Sequence, residues 1–136
     1  TMPFEVLAAP WFDARSVLRA VGEVPGVKLL PVNDLTPRAP GDSKYADTAL
    51  TGLRLQVTDR RRYDPTATAL RLLVAIRATH PAEFRWIPAH FDRLAGTDSL
   101  RLGLEAGRPA TSFLDQWRTQ RDAWMPRRLG VLLYPE

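Results

Sequence analysis

The sequence contains no cysteine among its 136 residues, which excludes disulfides and thiolate metal sites and leaves the redox compartment open. Long apolar runs are also absent, and without about 18 consecutive apolar residues no membrane span is expected. Histidine is scarce: His80 and His90 have no ligand partner at a spacing that suits a metal, so both are interpreted as structural or surface residues. The glycines are scattered singly, so no phosphate-binding loop and no cofactor are predicted.

The composition that remains is that of one globular domain. Apolar residues make up 45% of the chain and charged residues 25%, as is usual for such domains. The net charge is +4, and the basic side chains are nearly all arginine. Because acidic and basic residues are interspersed, a solvated surface is favoured over one that binds nucleic acid. The chain begins Thr1-Met2, which is not a natural start, so it is expected to be a piece of a longer protein.

The other elements are arranged around the stretch from residue 53 to residue 65. Apolar side chains alternate with polar ones from Leu53 to Val57, which is the period of a strand with one apolar face. A charged segment with three arginines follows. Asp64 and Pro65 then supply an N-cap acceptor and a proline at the first helical position. The stretch is predicted to be a strand, a charged turn and a helix.

Capping and turn signals predict the remaining elements. Further strands are predicted over residues 4–8, 27–32 and 130–134, and further helices over residues 14–21, 90–95, 97–106 and 109–126. Pro31 places its strand at an edge or a bulge, and Pro126 is expected to stop the last helix. The predicted fold class is α/β (α+β-like), with a single domain over residues 1–136 and a small mixed sheet of about four strands against which the helices pack.

Three aspartates are candidates for chemistry. Asp59 follows the central strand, and ligands of α/β sheets gather at the carboxyl ends of strands, but a role in capping a turn or pairing with the arginines at 60–62 is favoured. Asp92 and Asp98 flank Gly96-Thr97, and paired carboxylates perform acid/base chemistry on glycosidic bonds. Helix capping also explains both carboxylates and is the favoured interpretation.

The four tryptophans fall into two groups. Trp11 and Trp86 lie in short connections beside prolines. An exposed indole stacks on sugar faces, whereas packing in the core or at its rim is the commoner role. Trp117 and Trp124 lie on one stripe of the last helix and are predicted to belong to the core.

Five sequence pieces occur in one order along the chain, and a helix with Trp117 precedes the last of them: residues 3–11 (PFEVLAAPW), 25–27 (PGV), 57–60 (VTDR), 91–98 (FDRLAGTD) and 132–134 (LLY). The set resembles the C-terminal domain of the NamZ exo-β-N-acetylmuramidase family and covers essentially the whole chain. One departure is Leu50, near the position where many members carry cysteine, and it is interpreted as core packing.

This resemblance implies a two-domain parent enzyme, a bacterial hydrolase of cell wall recycling. Full-length members carry an N-terminal Rossmann-like catalytic domain and release N-acetylmuramic acid from the non-reducing ends of peptidoglycan fragments. The C-terminal domain packs on the catalytic domain and helps to form the cleft. This chain alone is therefore expected to be inactive and to hold no catalytic residue, metal or cofactor. The implied partners are the catalytic domain and peptidoglycan fragments, in an extracytoplasmic location.

The resemblance and the residue chemistry together nominate a set of substrate-binding or domain-interface candidates: Asp59, Arg60, Trp11, Trp86, Asp92, Thr97 and Asp98. The alternative interpretation is a free-standing carbohydrate- or protein-binding module without catalysis. The two differ in what they predict for the chain alone, because a module binds sugar by itself whereas an auxiliary domain contributes to activity only beside its catalytic partner.

Overall fold

The structure, a computed structural model, describes residues 4–38 and 44–133, and the chain divides into two compact units, residues 1–85 and 86–136. The first unit contains β1 (Val6–Ala9), α1 (Ala14–Val21), β2 (Val27–Leu35), β3 (Leu50–Val57) and α2 (Pro65–Thr79). The second contains α3 (Pro88–Ala95), α4 (Ser99–Glu105), α5 (Ala110–Arg128) and a 3₁₀ turn (Leu129–Val131). The predicted α+β class is confirmed.

The sheet of the first unit has three strands in the order β1-β3-β2, with both pairings antiparallel. The sequence predicted a mixed sheet, which is wrong in this respect. β1 and β2 run in the same direction, but β3 lies between them and opposes both, so no two parallel strands are adjacent. β3 approaches β1 very closely at Gly52, where a Cβ atom would lie 2.1 Å from the carbonyl oxygen of Leu7.

The helices of the first unit begin where their capping residues predict. The Asp13 carboxylate accepts hydrogen bonds from the backbone N–H groups of Arg15 and Ser16 at the start of α1. The Asp64 carboxylate accepts from the N–H of Ala67, and Pro65 occupies the first position of α2. These caps satisfy N–H groups that the first turn of a helix leaves without intrahelical partners.

The core of the first unit lies where α1 and α2 meet the sheet. Its buried members come from both helices, from β1 and β3 and from the connection after β1: Ala9, Phe12, Val17, Leu53, Leu72, Ala75 and Ile76. Leu53 and Val17 are fully buried, and Leu55 packs against the cluster, as the alternation along β3 predicts. Leu50 is also buried, in agreement with its interpretation as core packing.

β2 is an edge strand, which confirms the prediction drawn from Pro31, a residue with no N–H to donate to a ladder. The strand continues beyond its predicted end at residue 32 as far as Leu35. Its register shifts between Val32 and Leu35, and Asp34 within the shift has a φ of 57°. This β-bulge changes the direction in which the end of β2 presents its side chains.

The second unit departs from the sequence prediction at its C-terminal end. Pro126 lies inside α5 rather than ending it, so the helix tolerates the loss of the hydrogen bond that an N–H at this position would make. The helix therefore uses residues up to Arg128, and residues 129–131 form a 3₁₀ turn where a strand was predicted. Leu133 is 90% exposed, so this segment is not an interior strand; residue 134 lies outside the described residues.

The aromatic stripe of α5 is only partly core. Phe113 is buried, and Trp117 packs near it with ring centroids 6.1 Å apart. Trp124 is 55% exposed, so its predicted place in the core is wrong. The aromatic stripe extends beyond the buried part of α5, so the last turns of the helix lie at the surface.

Candidate functional site

Asp59 lies in a tight turn directly after β3, where it was predicted to bend the chain. Its carboxylate accepts the N–H of Arg61 at 2.9 Å, and its carbonyl accepts the N–H groups of Arg62 and Tyr63. Asp59 is half-buried and Arg60 is exposed. The capping of a turn, which the sequence offered for Asp59, is confirmed, whereas a role for Asp59 or Arg60 in binding stays a prediction.

The Pro25-Gly26 turn packs against this Asp59 turn. The Gly26 carbonyl accepts the N–H groups of Thr58 and Asp59, and a Cβ atom on Gly26 would lie 2.5 Å from the backbone nitrogen of Tyr63. Val27 and Val57 are paired in the sheet beside it. Two of the sequence pieces that carry the family resemblance, at residues 25–27 and 57–60, therefore meet in space and support one another structurally.

Trp11 lies at the other end of β3, because Ala9 pairs with Thr51 at the start of that strand. The structure does not bring Trp11 to the Asp59 turn. Its ring is partly buried and packs on His80, with centroids 5.2 Å apart. Trp11 is therefore a rim residue of the core rather than an open platform for a sugar face.

His80 is buried and holds the end of α2 against the start of α1. Its Nε2 accepts the backbone N–H of Asp13 at 2.9 Å, and its Nδ1 lies 2.8 Å from the hydroxyl of Thr79. Since Nε2 must offer a lone pair, the proton of the neutral ring is on Nδ1 and is donated to Thr79, whose hydroxyl in turn donates to the Ala75 carbonyl at 2.8 Å. The structural interpretation of His80 is confirmed, and His90 is exposed on α3.

In the second unit, Asp92 is held by Arg101 in a bidentate ion pair. Nε of Arg101 lies 3.0 Å from one carboxylate oxygen and its terminal nitrogen 2.8 Å from the other, and a third nitrogen reaches Glu105 at 3.2 Å. The hydrogen bonds from Arg101 hold the pKa of Asp92 below its ordinary value of 3.8. A carboxyl group that stays ionised at neutral pH cannot act as the proton donor of a glycosidase pair.

Replacing Asp92 by Asn is expected to destabilise the chain at neutral pH and to have progressively less effect in acid. Because the pKa of Asp92 is lowered in the folded state, its contribution is fully present above the unfolded value and is lost as pH falls through the folded value. Urea unfolding of both proteins between about pH 7 and about pH 2 measures this difference.

Asp115→Asn serves as the matched control, because its ion pair with Arg118 is exposed on α5 and surface pairs contribute little. A stability difference between the wild type and Asp92→Asn that does not change with pH would contradict the lowered pKa of Asp92 in the folded state.

Thr97, Asp98 and Trp86 have local roles in the second unit. The Thr97 hydroxyl, not the Asp98 carboxylate, accepts the N–H of Ser99 at the start of α4, so the cap predicted for Asp98 is wrong and Thr97 takes that role. Asp98 is exposed. Trp86 is partly buried and packs edge-on against Phe91, with centroids 4.7 Å apart. Their part in binding stays a prediction.

A groove of about 560 Å³ lies beside α1 in the first unit, and the sequence did not single it out. Its apolar lining is formed by Phe12, Leu18 and Pro31, and its polar lining includes Arg15, Arg19 and Asn33. This volume is within the range of about 300–1,000 Å³ that is typical of small-molecule sites. The i,i+4 spacing of the two arginines was visible in the sequence, but the proximity of Asn33, which lies within the register shift of β2, was not.

The described residues contain no group of three or more His, Asp and Glu side chains that would hold a metal ion. Among the helices within those residues, none is both long and apolar enough to cross a bilayer.

Comparison with known proteins gives one consistent result. The family model described as the C-terminal part of the exo-β-N-acetylmuramidase NamZ matches residues 1–134. The peptidoglycan β-N-acetylmuramidase NamZ of Bacillus subtilis is 26% identical over 137 residues, which cover 98% of this chain and 32% of that protein. The crystal structure of a DUF1343 family protein from Bacteroides fragilis has a similar fold, with a TM-score of 0.83 and 20% identity, over 99% of this chain and 36% of that one. The chain thus spans about a third of the length of these two relatives.

Proposed function

The chain belongs to the family of NamZ C-terminal domains, and on that premise we propose that it is the auxiliary domain of a peptidoglycan-degrading exo-β-N-acetylmuramidase. In this role it packs on a catalytic domain and helps to shape the cleft that binds the glycan. The observation that carries the proposal is the match over residues 1–134, combined with a similar Bacillus protein of which those residues correspond to only 32%.

The chemistry of the described carboxylates agrees with an auxiliary role. Asp92, one of the two carboxylates considered as an acid/base pair, is held in its ionised form by the ion pair with Arg101, and Asp98 is an exposed residue beside a helix start. The hydrogen bonds from Arg101 lower the pKa of Asp92, which is opposite to the raised pKa that a glycosidase general acid requires. We therefore assign the acid and the nucleophile to the partner domain.

The C-terminal end of the second unit supplies a surface for docking that partner. Apolar side chains are exposed at several positions within residues 124–133, which we name the α5 apolar segment: Trp124, Leu129, Val131, Leu132 and Leu133. Concentrated exposed apolar side chains mark interaction surfaces. The occupant we assign is the catalytic domain, since the relatives extend well beyond the region that this chain matches.

The remaining candidates take roles at the seam or cleft in this proposal. Arg60 points outward from the Asp59 turn and is available to an acidic group of the partner or to a carboxylate of the substrate. In this proposal the other candidates contribute to the seam or to the cleft, either through structural contacts or from exposed positions: Trp11, Trp86, Thr97 and Asp98. The location assigned with this function is extracytoplasmic, where peptidoglycan is found.

A chimera tests the function directly. The C-terminal third of the Bacillus relative is replaced by this chain, and turnover of a chromogenic β-N-acetylmuraminide is measured for the chimera, for the truncated relative and for this chain alone. We expect turnover by the chimera and none by this chain, because the reacting groups belong to the partner domain. Turnover by the isolated chain, or a chimera no more active than the truncated relative, would overturn the proposal.

Two variants of the chimera localise the docking surface. Trp124→Ser removes the largest exposed ring of the α5 apolar segment, and Gln120→Ser changes an exposed polar residue of the same helix. The first is expected to lower turnover by about tenfold and the second to leave it unchanged. Equal activity of the two variants would show that this segment is not the docking surface.

A further inference from the structure

The groove beside α1 combines an apolar floor with a basic edge. Phe12, Leu18 and Pro31 supply its apolar lining, here called the floor, and Arg15 and Arg19 line the groove from α1. A floor of this kind suits the apolar face of a sugar ring, and a few polar groups around it fix the ligand's orientation.

The charges that line the groove favour an anion. Arg15 and Arg19 are four residues apart on α1, and like charges at that spacing repel one another when nothing lies between them. Arg15 has no side-chain partner among the described residues, while Arg19 reaches only the hydroxyl of Ser16, at 3.2 Å. The Asp13 carboxylate also lines the groove, where it accepts hydrogen bonds from the Ser16 hydroxyl and from N–H groups of α1 that lower its pKa. Its single negative charge offsets one of the two positive charges and leaves the other.

The groove is also lined from β2, next to the bulge in that strand. Asn33 lies within the register shift beside Asp34, and its side-chain amide makes no hydrogen bond to the described part of the chain. β-Bulges redirect side chains next to binding sites. The amide thus offers a donor and an acceptor to a ligand in the groove, whereas the Thr51 hydroxyl is already used, since it donates to the Phe12 carbonyl at 2.6 Å.

From these observations we infer that the α1 groove is a binding subsite for an N-acetylated sugar that carries a carboxylate. The lactyl carboxylate of N-acetylmuramic acid binds Arg15 and Arg19, and the sugar ring lies on the apolar floor with its acetamido group near Asn33. Arginine is the side chain best suited to a carboxylate, because its planar guanidinium offers paired N–H donors. The inference deepens the proposed function, on which it rests for the identity of the sugar.

Binding by the 136-residue chain tests the subsite without any catalytic partner. N-acetylmuramic acid and N-acetylglucosamine are titrated separately and followed by NMR chemical shifts, since the second sugar lacks only the lactyl group. We expect saturable binding of N-acetylmuramic acid, and affinity for N-acetylglucosamine that is lower by about tenfold or more. Equal affinity for the two sugars, or no saturable binding of the first, would overturn the inference.

Matched double variants locate the site. Arg15→Gln with Arg19→Gln removes both groove cations, and Arg62→Gln with Arg71→Gln removes two exposed cations elsewhere in the first unit. The first pair is expected to weaken N-acetylmuramic acid binding by about tenfold or more, and the second to leave it unchanged. All four positions are exposed, and thermal melts confirm folding. Equal binding by the two double variants would place the sugar outside this groove.

The outcomes separate the subsite from the proposed function. A chimera that turns over the muraminide, made with a chain that does not bind N-acetylmuramic acid, overturns the subsite alone. A chain that binds the sugar through Arg15 and Arg19 but gives an inactive chimera overturns the auxiliary role and favours a free-standing binding module.

Discussion

Gly26→Ala is expected to lower the free energy of unfolding by about 3 kcal/mol, from backbone strain and steric overlap together. Gly26 has a φ of 75°, which an alanine adopts at a cost of roughly 1–2 kcal/mol. A Cβ atom at this position would also lie 2.6 Å from the carbonyl oxygen of Asp59 and 2.5 Å from the nitrogen of Tyr63. These are backbone atoms, so relief requires the whole Asp59 turn to move.

The matched control is Gly96→Ala. Gly96 has a φ of 72° at the end of α3, and a Cβ atom there would meet nothing within 4 Å. Only the strain remains, and a loss of about 1 kcal/mol is expected in urea unfolding. If the two variants lose the same stability, the contact between the Pro25-Gly26 turn and the Asp59 turn is not tight, and the structural link between the two sequence pieces is wrong.

His80→Ala is expected to cost about 3 kcal/mol, through a cavity and two lost hydrogen bonds. The ring of His80 stacks on Phe12, with centroids 5.6 Å apart, and fills the space between the start of α1 and the end of α2. Without it, the N–H of Asp13 loses its acceptor at a part-buried position. The hydroxyl of Thr79 keeps its bond to Ala75, so the damage falls mainly on the α1 side.

Two further variants resolve the contributions of packing and hydrogen bonding at His80. His80→Phe keeps the ring but leaves the Asp13 N–H unsatisfied, so it should lose less than His80→Ala while remaining less stable than the wild type. His90→Ala, at an exposed site on α3, should change stability by no more than about 0.5 kcal/mol. A His80→Ala protein as stable as His90→Ala would show that the histidine is not part of the core.

The tautomer of His80 is also measurable, because the chain has only one other histidine, His90. NMR of the ring nitrogens should find the proton of His80 on Nδ1, as its acceptance of the Asp13 N–H requires.

Local chemistry determined much of the first unit from the sequence alone. Asp13 and Asp64 predicted both helix starts, because their carboxylates satisfy N–H groups only a few residues away. The alternation from Leu53 to Val57 predicted the strand and its buried face at Leu53 and Leu55, but not the exposure of Val57, and Pro31 predicted an edge. Each of these predictions rests on a property of one residue or one period. The turn at Asp59 followed from the same kind of short-range reasoning.

Other features were decided only by the tertiary structure, because they depend on which distant residues become neighbours. The insertion of β3 between β1 and β2 made the sheet antiparallel, and no local pattern specifies strand order. The role of Asp92 was decided by Arg101, nine residues away on the next helix, and that of His80 by Asp13, which is 67 residues distant. Likewise, the groove exists because packing brings Pro31 and Asn33 of β2 beside Arg15 and Arg19 of α1. Helix caps and strand faces arise from interactions within a few residues of the chain, whereas ion pairs, buried acceptors and grooves arise from long-range packing that the residues concerned do not encode individually.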